Sequence, residues 1–177
     1  MRWIWITLGA AILLSSCSAQ LQPFTERIYD ETYWTTEELQ QVQFFLSRDI
    51  VLSQRVEGSR STVERGEIII ENGAKVRQVV IPSGTPGQFI FSPDKKRFAI
   101  SFESNPDHYL MFGPNPKLDD RYTLLASSWN RDKGIVSYAG EKWLADRSSA
   151  ASYLMVDIKR LGKYERERKV LRGRRIN

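Results

Sequence analysis

VERGEIIIENGAKVRQVVI, Val63 to Ile81, is the stretch whose reading decides the fold. Two runs rich in Ile and Val flank Asn72-Gly73. Such runs suit a pleated, half-buried surface. An Asn-Gly pair between them is a strong hairpin signal, because both central residues of a type I′ turn need positive φ. Val63–Glu71 and Ala74–Ile81 are therefore expected to be antiparallel partners.

Outward from this hairpin the period of two continues. Ile50 to about Val56 reads as a strand. After the turn-rich Pro82–Gly87, QFIFS (Gln88–Ser92) and RFAISF (Arg97–Phe102) form a second pair around Pro93-Asp94-Lys95-Lys96, with Phe98, Ile100 and Phe102 on one face. HYLMF (His108–Phe112), YTLLAS (Tyr122–Ser127), GIVSY (Gly134–Tyr138), Lys142–Leu144 and ASYLMVDI (Ala151–Ile158) supply further strands. The expected fold is mainly β: an antiparallel β-sandwich or small β-barrel of about eight strands. One amphipathic helix precedes it. Thr35 and Glu38 have capping-box spacing, and Leu39, Val42, Phe45 and Leu46 recur at helical spacing over Thr36 to about Arg48.

The first residues have a different character. MRWIWITLGAAILLSSC carries one charged side chain, Arg2, and then an apolar run from Trp3 to Leu14. Twelve helical residues span about 18 Å, short of the ~30 Å hydrocarbon core of a bilayer. The run has the length of a signal-peptide apolar region. Leu14-Ser15-Ser16-Cys17 resembles the lipobox of bacterial lipoproteins: an aliphatic residue, two small residues and a cysteine. The resemblance implies cleavage between Ser16 and Cys17, diacylglycerol attached to the Cys17 thiol, and acylation of the new amino group. Ser18, rather than Asp, follows the cysteine, which in enterobacterial lipoproteins favours release to the outer membrane. The implied location is the bacterial envelope, on the periplasmic side.

The expected organisation is a signal peptide over 1–16, lipidated Cys17 and tether over 17–34, a helix plus β domain over 35–158, and a basic end over 159–177. Cys17 is the single cysteine, so an intramolecular disulfide is excluded. The last segment, KRLGKYERERKVLRGRRIN, sets nine Lys and Arg against two Glu, net +7. Of a total of +5, Arg2 contributes one and this end seven, which leaves −3 for residues 17–158. Lys159, Arg160, Lys163, Arg166, Arg168, Lys169, Arg172, Arg174 and Arg175 are the candidates for contact with an anionic lipid, a cell-wall polymer or an acidic protein face. The alternative is a solvated edge strand or tail. Nucleic acid is disfavoured by the compartment.

Catalytic groups are sparse. His108 is the only histidine, which excludes a multi-histidine metal site within one chain. There is no Gly-x-Ser-x-Gly elbow and no phosphate-binding loop with its lysine. His108 is expected as a partly exposed strand-edge residue, Asp119-Asp120 as a solvated turn, and Trp129, Trp143, Tyr109, Tyr122 and Tyr138 mostly as core. No cofactor, metal or catalytic residue is expected. The first expectation for function is a lipid-anchored, non-enzymatic assembly or accessory subunit of an envelope complex. The second is a glycan- or lipid-binding β-barrel, and a hydrolase using scattered carboxylates is a remote third. A packed interior with an apolar external patch favours assembly; an apolar cavity inside a closed barrel favours ligand binding.

Overall fold

The structure is a computed structural model that describes residues 20–55, 67–71, 74–130 and 132–157. Its strands are β1 (Leu21–Pro23), β2 (Gln43–Leu46), β3 (Ile50–Arg55), β4 (Glu67–Glu71), β5 (Ala74–Ile81), β6 (Pro86–Phe91), β7 (Phe98–Ser101), β8 (Tyr109–Asn115), β9 (Arg121–Leu124), β10 (Ser128–Asn130), β11 (Lys133–Tyr138), β12 (Glu141–Asp146) and β13 (Leu154–Asp157). Two short helices, α1 (Glu26–Thr32) and α2 (Thr36–Leu39), lie between β1 and β2.

All strand pairs are antiparallel, in two sheets. The first has seven strands in the order β1-β13-β2-β6-β7-β8-β9, and the second has six in the order β10-β11-β12-β3-β5-β4. The hairpin that anchors the sequence reading is present: Glu71 opposes Ala74 and Glu67 opposes Gln78. Asn72-Gly73 itself lies outside the described residues. The first sheet curls until its far edges meet at two isolated bridges, Thr25 with Arg121 and Thr123 with Tyr153. Among the described residues no continuous ladder joins them, so the mainly β fold is a two-sheet sandwich rather than a closed barrel.

One core joins the sheets. Phe24, Phe44, Phe89, Phe98 and Tyr122 from the first meet Leu52, Val136, Trp143 and Ala145 from the second in a single buried cluster. Phe98 sits at its centre, with ring centroids 4.8–6.3 Å from those of Phe24, Tyr29, Phe44, Phe89 and Tyr122. Edge-on and tilted ring pairs of this kind add to the stabilisation from burial alone.

Three expectations need correction. The single helix over Thr36–Arg48 is only α2, four residues long. Its capping box forms as expected, with Glu38 N–H donating to the Thr35 hydroxyl at 3.3 Å and Thr35 N–H to the Glu38 carboxylate at 2.8 Å. After Leu39 the period switches to two. Phe44 and Leu46 are fully buried while Gln43 and Phe45 are half-buried, because β2 is clamped between β13 and β6. The segment read as tether supplies β1 and α1 instead. Its β1 pairs with β13, far along the chain, and Thr25 caps α1 through its hydroxyl, which accepts from Ile28 N–H at 3.3 Å. Finally, thirteen strands are present among the described residues, more than the about eight expected; ten correspond to the runs named from the sequence, and the short β1, β2 and β10 are additional.

Candidate functional site

The outward face of the six-stranded sheet is built by register. Ile135 opposes Leu144, Leu144 opposes Ser53, and Ser53 opposes Gln78, so these four share one face. Val51 and Val80 lie opposite each other two residues along the same strands, and therefore on the same face. Their neighbours Leu52, Val136, Trp143 and Ala145 point inward and are buried. The result is an apolar strip across β11, β12, β3 and β5. Val80 is 49 % exposed, Leu144 40 % and Ile135 36 %. Ser53 donates its hydroxyl to the Leu144 carbonyl at 3.3 Å, so this hydroxyl is already satisfied, and Gln78 is the other polar side chain on the face.

Beneath the strip the interior is filled. The Arg77 guanidinium lies 4.8 Å from the centroid of the Trp143 ring and donates to Gln54 and Glu141. This closes one end of the layer between the sheets with a cation–π contact and an ion pair. The wall beside Trp143 is held by Tyr138, whose hydroxyl donates to Glu103.

Glu103 also receives His108. Nδ1 of His108 lies 2.7 Å from the Glu103 carboxylate and Nε2 lies 3.1 Å from the Asn105 amide nitrogen. Both contacts are satisfied when Nδ1 carries the proton, donating to Glu103, and Nε2 accepts from Asn105. His108 is buried, not partly exposed as expected, because the loop from Phe102 to Asp107 folds back over it. Among the described residues no serine is placed against its ring nitrogens, and the contacts make it a brace between the β7–β8 loop and β11.

A groove of about 1160 Å³ runs between the two helices and the β6–β7 turn, lined by Tyr29, Asp30, Tyr33, Trp34, Glu37 and Asp94 among others. It opens on the surface rather than into the core. Tyr33 is its exposed aromatic, at 74 %, whereas Trp34 is packed on Phe24. Asp94 accepts from the N–H groups of Lys96 and Arg97 and from the Arg97 side chain. A smaller cleft of about 360 Å³ adjoins it, lined by Glu26, Arg27, Asp30, Glu31, Tyr33 and Asp120. Asp119 pairs with Arg121 at 3.0 Å, and the Asp120 carbonyl accepts from Glu26 N–H. Among the described residues no group of three or more His, Cys, Asp or Glu is placed to hold a metal ion.

Of the aromatic candidates, Trp143, Tyr122 and Tyr138 are core as expected, Tyr109 is half-buried, and Trp129 is 41 % exposed. Ser16, Cys17 and all nine basic candidates from Lys159 to Arg175 lie outside the described residues. The apolar strip was not anticipated, although the alternation of Ile135 with Val136 and of Leu144 with Trp143 showed apolar residues on both faces of β11 and β12. No family model matches the chain, and neither the curated proteins nor the solved structures contain a match to it.

Proposed function

We propose that this is a lipid-anchored protein of the bacterial envelope, held through Cys17, that works as a non-enzymatic assembly or accessory subunit. The observation that carries the assembly role is the strip of Ile135, Leu144, Val51 and Val80 on the outside of a sandwich whose inside is packed. Exposed apolar residues that share one face of a small domain are the kind of surface interaction sites use. The partner is a protein of the same envelope that covers this face. The anchor rests on Leu14-Ser15-Ser16-Cys17 at the end of the apolar run.

A photocrosslinking residue placed at Leu144 in intact cells tests this. Discrete adducts with envelope proteins are expected, with none from the same residue at Arg27, on α1. Recovery of free monomer from both positions would sink the assembly reading. The second reading, a glycan-binding surface, is favoured by one feature, the exposed Tyr33 ring beside Asp30 and Glu37 in the groove. Tyr33→Ala separates the two, since it abolishes glycan retention while leaving the crosslinks at Leu144 intact.

A further inference from the structure

The apolar strip has a border that the strand register defines. Leu144 opposes Ser53 and Ala145 opposes Leu52. The same register carried two residues further sets Lys142 opposite Arg55. The Gln54 side chain donates to the Lys142 carbonyl at 3.0 Å, so β3 and β12 still run side by side there. Alternation puts Lys142 on the face of Leu144, and Arg55 on the face of Ser53 and Val51. Both are exposed. Two positive side chains therefore stand together at one edge of the strip, about 7 Å along the strands from Leu144 and Ser53.

Like charges directly opposite each other destabilise a sheet. Elsewhere on this face the charges are complementary, because Lys133 opposes Asp146. The Arg77 guanidinium, on the inward side, is also matched, to Glu141 and Gln54. Lys142 and Arg55 have no such match: among the described residues no carboxylate pairs with either side chain.

We infer that Lys142 and Arg55 receive a carboxylate of the protein partner that covers the apolar strip. The inference rests on the assembly reading above and adds the chemistry of the partner. That partner presents an apolar side chain and an Asp or Glu on one face, about 7 Å apart, as residues two apart in a strand are. The apolar group meets Leu144 and the acid lies between Lys142 and Arg55. A carboxylate between the two cations cancels their repulsion, so what the pair costs the free domain is regained in the complex. Charges at the rim of an apolar contact also fix orientation and exclude wrong partners. A second copy placed symmetrically on this face brings another Lys142 and Arg55 to the interface, which adds to the positive charge there instead of offsetting it.

The test keeps the full chain in intact cells, with p-benzoylphenylalanine at Leu144 as the probe. It is run in the parent, in Lys142→Glu and in Lys142→Arg. The parent is expected to give discrete protein adducts, which mass spectrometry places in a partner peptide carrying Asp or Glu beside the crosslinked position. Lys142→Glu is expected to lower the adduct yield roughly tenfold, the effect of losing one charge contact. Lys142→Arg keeps the charge and should keep the yield. Urea denaturation of the purified chain separates contact from folding. Lys142→Glu turns a repulsive cross-strand pair into an attractive one, so its midpoint should rise while its adducts disappear. Equal adduct yields from Lys142→Glu and the parent overturn the inference and leave the assembly reading standing. A lowered midpoint, or the same loss in Lys142→Arg, also overturns it, because the charge is then not what the partner reads. Adducts confined to lipid or to a second copy of the chain overturn it as well. Absence of any adduct from the parent overturns the assembly reading, and the inference with it.

Discussion

At the scale of single residues the core discriminates between groups that resemble each other on paper. Tyr122 and Tyr138 are both buried tyrosines. The Tyr138 hydroxyl donates to Glu103, while the Tyr122 hydroxyl finds no hydrogen-bond partner among the described residues. Burial among Phe24, Phe98 and Tyr29 also pushes the Tyr122 phenol well above its ordinary pKa, so it stays neutral. An unpaired buried polar group costs its desolvation, and a paired one contributes about 1 kcal/mol. Tyr138→Phe is therefore expected to lower stability by about 1 kcal/mol, and Tyr122→Phe to leave it unchanged or raise it by a similar amount. Urea denaturation of the two variants decides this, and equal losses would contradict it. Gly87 gives a third case. A Cβ there would sit 2.7 Å from Ile100 Cγ2 and 2.7 Å from Phe102 Cε1, and Ile100 is fully buried. Gly87→Ala is expected to cost about 1–3 kcal/mol through overpacking, despite alanine being the better strand residue. From sequence, Gly87 belonged to the turn-rich Pro82–Gly87. Its role inside β6 depends on a cross-strand aromatic that no local window contains.

At the scale of elements, what was legible depended on whether the determining contact was local. The Asn72-Gly73 hairpin and the Thr35/Glu38 capping box are short-range devices, and β4–β5 and the start of α2 follow them. Val42 to Leu46 is different, because its apolar spacing satisfies a helix and a strand alike. Pairing with β13 and β6 settles it as a strand, and that choice lies in tertiary contacts. The β12–β13 connection shows a local device missed in the sequence. The Asp146 carboxylate accepts from Ser149 N–H at 2.9 Å and from the Ser148 and Ser149 hydroxyls, and Ser149 Oγ accepts from Val51 N–H at 3.0 Å. Partial burial by itself raises the Asp146 pKa, but the bonds from Ser149 and Ser148 outweigh it and hold it below the ordinary carboxylate range. A carboxylate whose folded pKa is depressed stabilises the fold above its unfolded pKa, and that contribution disappears as pH falls through the folded value. Asp146→Asn is thus expected to cost about 1 kcal/mol at neutral pH, the modest figure reflecting the carboxylate's remaining contact with water. The gap from the parent should narrow as the pH drops below about 4, the ordinary carboxylate range. A gap independent of pH would show that the turn is held by shape rather than by charge.

At the scale of the whole molecule, the two sheets behave as one unit or as two, and the structure favours one. The chain crosses between sheets at β2–β3, β5–β6, β9–β10 and β12–β13, so neither sheet is a continuous piece of sequence. The mainly β class was readable from period-two runs alone, but this interleaving was not, since it is fixed by which strands meet across the core. Trp143 from the second sheet and Phe98 from the first belong to one buried cluster, and the Tyr138–Glu103–His108 brace ties β11 to the β7–β8 loop. Removing either sheet strips the inner face of the other, which leaves no stable half. Small domains with one such core unfold in a single step. Hydrogen exchange at low urea tests this directly, because amides of β7 and of β12 should open with the same free energy and the same dependence on urea. The β4–β5 hairpin is the place to look for an exception: it forms the edge of its sheet, and only β5 is paired on both sides. If β12 exchanged together with that hairpin, well before β7, the second sheet would be an independently melting layer. The apolar strip across β11, β12, β3 and β5 would then be presented by a mobile face, not by a rigid one.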